Sequence, residues 1–392
     1  REFGRRLQLT RAGIWFAGNQ GDPYAMILRA TDDDSTPFEE RIRAHGPWFR
    51  SDLLGAWVTA DRAVTDRVLS DPRFGTLDRA GHRPDAGLLP IAPEFPEYER
   101  PELARLQALA APALSGAALL GAEQGEAHAR VGGLLPAGGG AFDLVGDVVR
   151  PYIGELVLRL LGAAEGERVQ AVGPLTRCGP QLDARFTPQT LAVARDSAAA
   201  VREVAALVRE LVAREVARGA GRPAGLVAAL LGRGVAPWDV ERIGLILALG
   251  APEPAVTVVA NTVRALLSGG GDWAGARRTP AASAAVGRTL LAWPPTRLER
   301  RVAHEDVRLG GRGIRADDQV VVLAPGAPNA LGQVPRTGPH LGLALPLVGL
   351  AATAAVSALA RALPGLKSAG PVLMRPRSPV VRSYARFPVC AH

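Results

Sequence analysis

Apolar residues recur every three to four positions through the middle of the chain, which predicts a mainly helical protein. The apolar stripe is continuous over residues 144–161, and over 191–216 it faces a row of arginines. This spacing is typical of amphipathic helices. A third apolar segment, 238–267, carries Pro252 and Pro254 at its centre. Because proline removes an amide donor and clashes with the preceding turn, we expect this helix to kink or break there.

Shorter patterns towards both ends predict small sheets. Residues 38–45 have helical spacing and end at a Gly-Pro turn, whereas 57–59 are typical of a short strand. Residues 301–323 read as a hairpin around a glycine-rich turn, and 371–389 as further short strands. No internal repeat or long linker divides the chain. We therefore predict one domain over residues 1–392, mainly α with small β-sheets.

One segment is long and apolar enough to suggest a membrane helix. Residues 341–360 carry no charge, which satisfies the length criterion for a membrane span. However, Pro346 interrupts the segment, small residues fill much of it, and no aromatic belt flanks it. We therefore expect a buried core helix and no membrane partner.

Composition narrows the classes of function. The formal net charge is +8, and Lys367 is the only lysine among 46 basic residues. The arginines are scattered and aromatics make up only 5% of the chain, a distribution that does not favour nucleic-acid binding. Cys178 and Cys390 are isolated, with no metal-binding spacing and no disulfide pattern. Together with the missing apolar signal segment, this predicts a cytoplasmic protein.

The common catalytic motifs are missing. There is no HExxH pair and no GxSxG elbow, and no Lys-Ser/Thr pair follows a glycine-rich loop. The glycine cluster at 310–313 leads into a strand rather than a helix, so it does not predict a dinucleotide site. We therefore expect no metal and no nucleotide cofactor.

A collinear series of segments resembles the bacterial cytochromes P-450. Each segment is weakly specific alone, but together they cover nearly the whole chain. The resemblance implies a cytochrome P-450-like fold. The segments are Asp22-Pro23-Tyr24, His45-Gly46-Pro47, Trp57-Val58-Thr59, 68–74, 142–162, 301–306, 320–322 and 363–366.

The positions that match the family's haem contacts have changed. The resemblance implies a proximal cysteine in a loop before the carboxy-terminal core helix, but 345–348 read Leu-Pro-Leu-Val and the loop is shortened. Arg301 alone remains among the usual contacts. Leu103 and Gln107 stand where the family has its His-x-x-x-Arg pair. Pro252 stands at the acid of the proton-delivery pair, and Arg288 and Leu291 stand at the Glu-x-x-Arg pair. These losses predict a haem-free protein without a cofactor and without catalysis of its own.

One group within that family has such a scaffold. The segment from Leu7 to Tyr24, with Trp15 and Phe16, is similar to the auxiliary proteins of glycosyltransferases in actinomycete macrolide and anthracycline biosynthesis. The resemblance implies binding to a glycosyltransferase that transfers an aminodeoxysugar, such as desosamine, from a dTDP-sugar. The expected assembly is a heterodimer or heterotetramer in which the partner's active conformation is stabilised.

Two groups of residues are candidates for the partner surface. Tryptophan and arginine are favoured at interface hot spots, and residues 1–30 form the suspected partner-binding segment. The alternative interpretation of Trp15 is that it packs against the protein's own core. The candidates are Leu9, Ile14, Trp15 and Phe16 near the amino terminus, and Arg202 and Arg209 on the arginine-bearing helix.

Two other functions stay open on the sequence. One is a haem monooxygenase with an atypical ligand, for which Cys178 and Cys390 are the available thiols. The other is a small-molecule carrier that uses the vacated haem pocket.

Overall fold

The structure of the protein is a computed structural model that describes residues 2–31, 34–84, 91–115, 117–137, 140–219, 225–268, 271–324 and 339–391. Of these, 117–125 and 339–341 are described by their backbone alone. Helices make up more than half of the chain and the strands are short, as the sequence predicts.

The helices are α1 (Glu2–Asn19), α2 (Pro23–Arg29), α3 (Thr36–Ala44), α4 (Arg62–Ser70), α5 (Arg100–Leu114), α6 (Ala117–Leu134), α7 (Arg150–Leu161), α8 (Glu165–Arg177), α9 (Pro180–Ala184), α10 (Leu191–Arg218), α11 (Leu226–Gly232), α12 (Pro237–Gly250), α13 (Pro252–Leu267), α14 (Thr279–Ala292) and α15 (Pro339–Ala362). The strands are β1 (Phe49–Ser51), β2 (Ala56–Thr59), β3 (Phe74–Gly75), β4 (Ala141–Asp143), β5 (Leu298–Ala303), β6 (Val307–Leu309), β7 (Arg312–Ile314), β8 (Gln319–Leu323), β9 (Lys367–Ser368), β10 (Leu373–Met374), β11 (Tyr384–Arg386) and β12 (Pro388–Cys390).

The uncharged segment near the carboxy terminus is a core helix. Within α15, every residue from 351 to 360 is buried, and the helix packs against α5, α6, α12, α13 and α14. Alanine, serine and threonine dominate this stretch, so neighbouring helices approach it closely. Length and composition alone would allow α15, and the α12–α13 segment, to cross a membrane, but both are mostly buried inside the fold. The prediction of a core helix is confirmed.

The proline pair divides the central apolar segment into two helices, as predicted. Helix α12 ends at Gly250 and α13 begins at Pro252. The first residues of a helix have no intrahelical acceptor for their amides, so Pro252 and Pro254 cost nothing in hydrogen bonds there. Ala251 lies between the two helices and donates its amide to Leu247, which closes the last turn of α12.

The helix predicted over 144–161 is not uniform. Its first six residues, Leu144–Val149, form a π-helical segment, and the regular helix α7 starts at Arg150. Pro151, the second residue of α7, cannot donate an amide to the preceding turn. The apolar stripe is nevertheless buried along both parts, so the prediction was wrong only about the regularity of the helix.

The sheets are small, and the main one packs beside the helices. Its strand order is β1-β2-β8-β5-β3, with β2 and β8 parallel and the other pairs antiparallel. The predicted hairpin over 301–323 is more elaborate than expected. Strands β5 and β8 pair with each other, and a smaller β6–β7 hairpin with left-handed glycines at Gly310 and Gly311 is inserted between them. The other sheets are β4-β12-β9 and β10-β11.

Candidate functional site

Helices α5, α13, α14 and α15 carry the positions that match the family's haem contacts. Leu103 is half-buried against the core, and Leu291 is half-buried on α14. Arg288 is exposed on α14, so it supports no buried pocket. Of the segment Leu345–Val348, residues 347 and 348 are buried and 346 is exposed. The loop before α15, residues 325–338, lies outside the described residues.

Gln107 ties α5 directly to the first turns of α15. Its side-chain amide donates a hydrogen bond of 3.2 Å to the backbone carbonyl of Gly342. In a regular helix that carbonyl would accept the amide of residue 346, but Pro346 has none. Gln107 therefore satisfies an acceptor that the proline leaves open. A position that matches a haem contact in the family serves here to join two helices.

Glu253 follows Pro252 and forms a buried ion-pair centre. Its Oε1 lies 2.8 Å from Arg150 Nη2 and 3.1 Å from Arg375 Nη2, and it accepts a hydrogen bond from Ser383. Burial alone would raise the pKa of Glu253, but the two guanidinium groups and the hydrogen bonds outweigh it and lower the pKa to about 2. The carboxylate thus joins α13, α7 and the carboxy-terminal strands, and it stays ionised at neutral pH.

Charged side chains also fill the interior beside β5. Arg301 bonds to Glu299 and to the carbonyl of Arg300, so the one retained family contact has partners within its own strand. Glu97 lies 2.8 Å from Arg83 and 2.7 Å from Arg185. The Glu97 bonds join the segment before α5 to the end of α9, and Arg300 of β5 also donates to the carbonyl of Arg185 at 2.6 Å.

The two thiols of the chain do not fit a haem iron. The sequence from 325 to 348 contains no cysteine. Burial raises the pKa of the Cys178 thiol to about 12, so it is protonated, and it bonds to the carbonyl of Pro174 at the end of α8. Cys390 lies in β12, between β4 and β9. Among the described residues, no group of three or more potential metal ligands converges.

Only a small apolar cavity remains between the helices that pack around the first turns of α15. It lies between α5, α7, α11 and α15 and has a volume of about 10 Å³. That is the room needed for about one water molecule, whereas ligand pockets measure roughly 300–1,000 Å³. Its walls are apolar: Leu114, Leu160, Leu161, Leu226, Pro346, Leu347 and Leu350.

Comparison with known proteins identifies the family. No protein-family model matches the chain. Protein TylM3 of Streptomyces fradiae is 37% identical, over 99% of this chain and 93% of that protein. Protein AknT of Streptomyces galilaeus is 33% identical, over 99% and 95%. Cytochrome P450 family protein EryCII of Saccharopolyspora erythraea is 32% identical, over 99% and 97%. The chain belongs to the cytochrome P450-like auxiliary protein family.

Solved structures give the same fold. CYP164A2 of Mycobacterium smegmatis superposes with a TM-score of 0.74 over 95% of this chain and all of that one, at 22% identity. CalO2 superposes with a TM-score of 0.70 over 93% and 99%, at 25% identity. The family and the cytochrome P-450-like fold expected from the sequence are confirmed. The chain therefore combines membership of the auxiliary family with the cytochrome P-450 fold.

The amino-terminal candidates divide between a buried and an exposed side of α1. Ile14 is buried, so it belongs to the core and not to an exposed partner surface. Leu9 and Phe16 are 62% and 57% exposed. They lie seven residues apart and so share one face, on which the small residues Ala12 and Gly13 are also exposed. We call Leu9, Ala12, Gly13 and Phe16 the α1 face.

Trp15 packs against its own chain and is also partly accessible, so each of the two interpretations made from the sequence describes part of its environment. The residue is 40% exposed, and the guanidinium of Arg29 lies 4.4 Å from the ring centre. Arg29 is itself buried and bonds to the backbone carbonyl of Trp15 and, at 2.8 Å, to Asn19. Trp15 is therefore anchored against its own subunit while one part of the ring stays accessible.

Arg202 and Arg209 are both exposed on α10. Arg209 Nη1 lies 4.0 Å from Glu241 of α12. The first residues of α10 lie beside α1, because a Cβ at Gly4 would stand 3.4 Å from Leu191. At 1.5 Å per residue, Arg209 is roughly 27 Å farther along the helix. Arg209 is thus far from the start of α1. Among the described residues, no hydrogen bond or ion pair joins Arg202 or Arg209 to the α1 face.

The sequence reasoning missed an exposed tryptophan near Arg209. Trp238, in the first turn of α12, is 52% exposed. The guanidinium groups of Arg105 and Arg242 lie 5.0 Å and 4.7 Å from its ring centre. Glu102 accepts from both arginines, and Asp239 accepts from Arg105. A tryptophan directly after a proline at a helix start was the available signal, but its arginine neighbours are distant in sequence.

Proposed function

We propose that this protein is a non-catalytic partner of a glycosyltransferase that uses a dTDP-deoxysugar in macrolide or anthracycline biosynthesis. The observation that carries the proposal is the exposed α1 face on a cytochrome P-450-like fold. The sequence prediction that the family's haem-contact positions are replaced supports it. The relatives that match over 99% of the chain support it, since they extend the resemblance over the amino-terminal segment as well.

Binding would activate the partner through a change in populations. A protein that binds only the competent conformation of the glycosyltransferase stabilises that conformation by the free energy of binding. The population of the competent conformation rises as a result. This mechanism requires a stable surface and no reactive group. The Glu253 ion-pair centre and the Gln107 bond contribute to that stability, because the first joins α13 to α7 and the second joins α5 to α15.

The proposed contact is the α1 face together with the accessible part of Trp15. Leu9 and Phe16 project on either side of Ala12 and Gly13, so a helix or strand of the partner can approach the backbone between them. The proposed surface also includes the exposed Arg202, which lies nearer than Arg209 to the end of α10 that meets α1. A standard interface buries about 800 Å² on each partner, which is enough to span both helices. The proposed assembly is a heterodimer or a heterotetramer.

The decisive experiment compares the turnover of a cognate glycosyltransferase with and without this chain, using the dTDP-sugar and the macrolactone acceptor. We expect turnover to rise when the chain is present and the two proteins to co-purify. Equal turnover and separate elution would contradict the proposal. A variant with an altered α1 face, added at the same concentration, controls for non-specific stabilisation by added protein.

Two alternatives remain distinct from this proposal. A haem monooxygenase with an atypical ligand would need a thiolate, and the raised pKa of Cys178 opposes one at neutral pH. A carrier that uses the vacated haem pocket would show a thermal shift with the aglycone alone, in the absence of the glycosyltransferase.

A further inference from the structure

A polar pocket of about 240 Å³ lies between α13, the turn before α3, the segment after α14 and the β10–β11 pair. Thr257, Asn261 and Arg264 line it from α13, and their spacing of four and three residues places them on one face of that helix. None of the positions that match the family's haem contacts is among the described residues that line it. The pocket is therefore separate from the region discussed above.

Thr257 leaves a buried hydroxyl without a partner at this pocket. The residue is only 2% exposed, and its Oγ1 has no hydrogen-bond partner among the residues that the structure describes. Thr262 and Thr289, on α13 and α14, bond back to the carbonyl four residues earlier, to Val258 at 2.7 Å and to Ala285 at 3.0 Å. Thr65 of α4 is also buried without a partner among the described residues, but it does not line this pocket. A buried unpaired hydroxyl costs free energy, so an available donor held beside a pocket indicates a ligand.

Asn261 supplies a second donor, one turn along the helix. The hydroxyl of Tyr384 donates to Asn261 Oδ1 at 2.6 Å. Burial raises the pKa of Tyr384, so this hydroxyl keeps its proton at neutral pH. Because the amide oxygen is engaged, the NH₂ group of Asn261 is the part that remains to donate.

The charge on the pocket wall is mainly positive. Among the described lining residues, Arg264, Arg297 and Arg382 carry guanidinium groups and Asp34 carries the one carboxylate. Arg297 also bonds to Glu39 of α3, which fixes its position. Arg264 is exposed and stands one turn beyond Asn261. Because Glu39 balances Arg297, the positive excess comes from Arg264 and Arg382 against Asp34. Two neutral donors and this smaller excess of positive charge favour an anion.

The remaining walls are apolar. Trp293 is partly exposed at the pocket, and Val372, Met374 and Val381 also line it. The volume is somewhat below the roughly 300 Å³ at which pockets for drug-sized ligands begin. The pocket therefore suits a compact molecule that has one charged end and one apolar or aromatic end.

We propose that this pocket binds a small organic anion, whose phosphate or carboxylate group meets Thr257, Asn261 and Arg264 and whose apolar body packs against Trp293. The site uses α13 and the carboxy-terminal strands and does not include the α1 face. Binding there does not depend on the proposed glycosyltransferase partner, so the two proposals fail separately.

The test is a calorimetric titration of the full chain with phenyl phosphate, with phenylacetate and with neutral benzyl alcohol. We expect at least one anion to bind and benzyl alcohol to bind at least about tenfold more weakly, as expected from losing hydrogen bonds to a charged group. Tighter binding of phenyl phosphate assigns the site to phosphate esters, and tighter binding of phenylacetate assigns it to carboxylic acids. Failure of both anions to bind, even at millimolar concentration, would overturn the proposal.

Variants on one helix separate ligand binding from stability. Thr257→Val removes only the unpaired hydroxyl, so we expect an unchanged or higher Tm together with about tenfold weaker anion binding. Arg264→Gln should weaken binding to a similar degree. The matched control is Thr262→Val, five residues away, whose hydroxyl is already bonded to Val258 and Thr289. It should lower the Tm and leave affinity unchanged. Wild-type affinity in both Thr257→Val and Arg264→Gln would contradict the assignment.

Discussion

Gln107 of α5 donates to the carbonyl of Gly342 in α15, across 235 residues of sequence. The bond is needed because Pro346, four residues beyond Gly342, cannot complete the helical pattern. A single side chain therefore compensates for an interruption in the main core helix. The two changes depend on each other, and this dependence can be measured.

We expect Gln107→Ala to lower the free energy of unfolding by about 1 kcal/mol, because the Gly342 carbonyl loses its partner. In a Pro346→Ala background the amide of residue 346 can bond to Gly342, so the same Gln107→Ala change should cost close to nothing. Urea unfolding of the wild type, both single variants and the double variant gives the coupling energy. Additive effects of the two changes would show that the carbonyl is satisfied in another way.

The Glu253 centre predicts a specific loss of stability in acid. Its pKa in the folded protein is about 2, below the ordinary 4.5, so its contribution is complete above pH 4.5 and is lost as the pH falls towards 2. The shift corresponds to about 3 kcal/mol. Glu253→Gln should therefore be markedly less stable than the wild type at pH 7, and the difference should shrink below pH 4.5. A difference that is independent of pH would mean that the ion pairs with Arg150 and Arg375 contribute little.

The thiols provide a test of the haem alternative. With a pKa of about 12, Cys178 should not react with a thiol reagent in the native protein at pH 7 and should react after unfolding. Cys390 is only half-buried and serves as the internal comparison.

Haem binding itself can be tested by absorbance. Protein expressed with a haem precursor should show no Soret absorbance. A Soret band with stoichiometric haem would overturn the proposal of a haem-free protein.

The α1 face predicts a loss of partner binding without a loss of folding. We expect Leu9→Ser combined with Phe16→Ser to weaken association with the glycosyltransferase by at least about 30-fold, as for a hot spot of about 2 kcal/mol. Both residues are exposed, so stability should change by less than about 0.5 kcal/mol. The matched control is Leu373→Ser, an exposed leucine on β10. If Leu373→Ser weakens association as much as the double variant does, the partner does not use the α1 face.

The arginines of α10 can be tested separately. Arg202→Glu should slow association with the glycosyltransferase and reduce the dependence of its rate on salt concentration, if Arg202 extends the α1 face. Arg209→Glu additionally breaks the contact with Glu241. Arg209 lies roughly 27 Å along α10 from Leu191, where α10 meets α1. We expect it to have the smaller effect. The reverse order would move the partner surface towards Trp238.

The parts of the fold that follow from local pattern were predictable from the sequence. The break at Pro252, the core helix around 351–360 and the amphipathic α10 each depend on residues within one segment. The replacement of the haem-contact positions stays a prediction that rests on the collinear resemblance. For Gln107 that resemblance indicated only a lost contact and gave no sign of its bond to Gly342.

The missed features depend on contacts between distant segments. Gln107 and Gly342 are 235 residues apart, and Arg105 and Asp239 are 134 apart, so no periodicity relates them. The burial of Ile14 beside the exposed Leu9 and Phe16 required knowing which side of α1 faces α2. The π-helical start at Leu144 and the inserted β6–β7 hairpin depend on the local backbone geometry, which the apolar pattern does not predict.

The surroundings of Trp238 have a consequence for any molecule that covers it. Most exposed tryptophans lose rotational freedom when they are covered, and that loss of entropy opposes association. Here Arg105 and Arg242 hold the ring, and Glu102 and Asp239 hold the arginines, before anything arrives. The ordering is already complete in the folded chain, so covering Trp238 yields its buried area at little entropic cost.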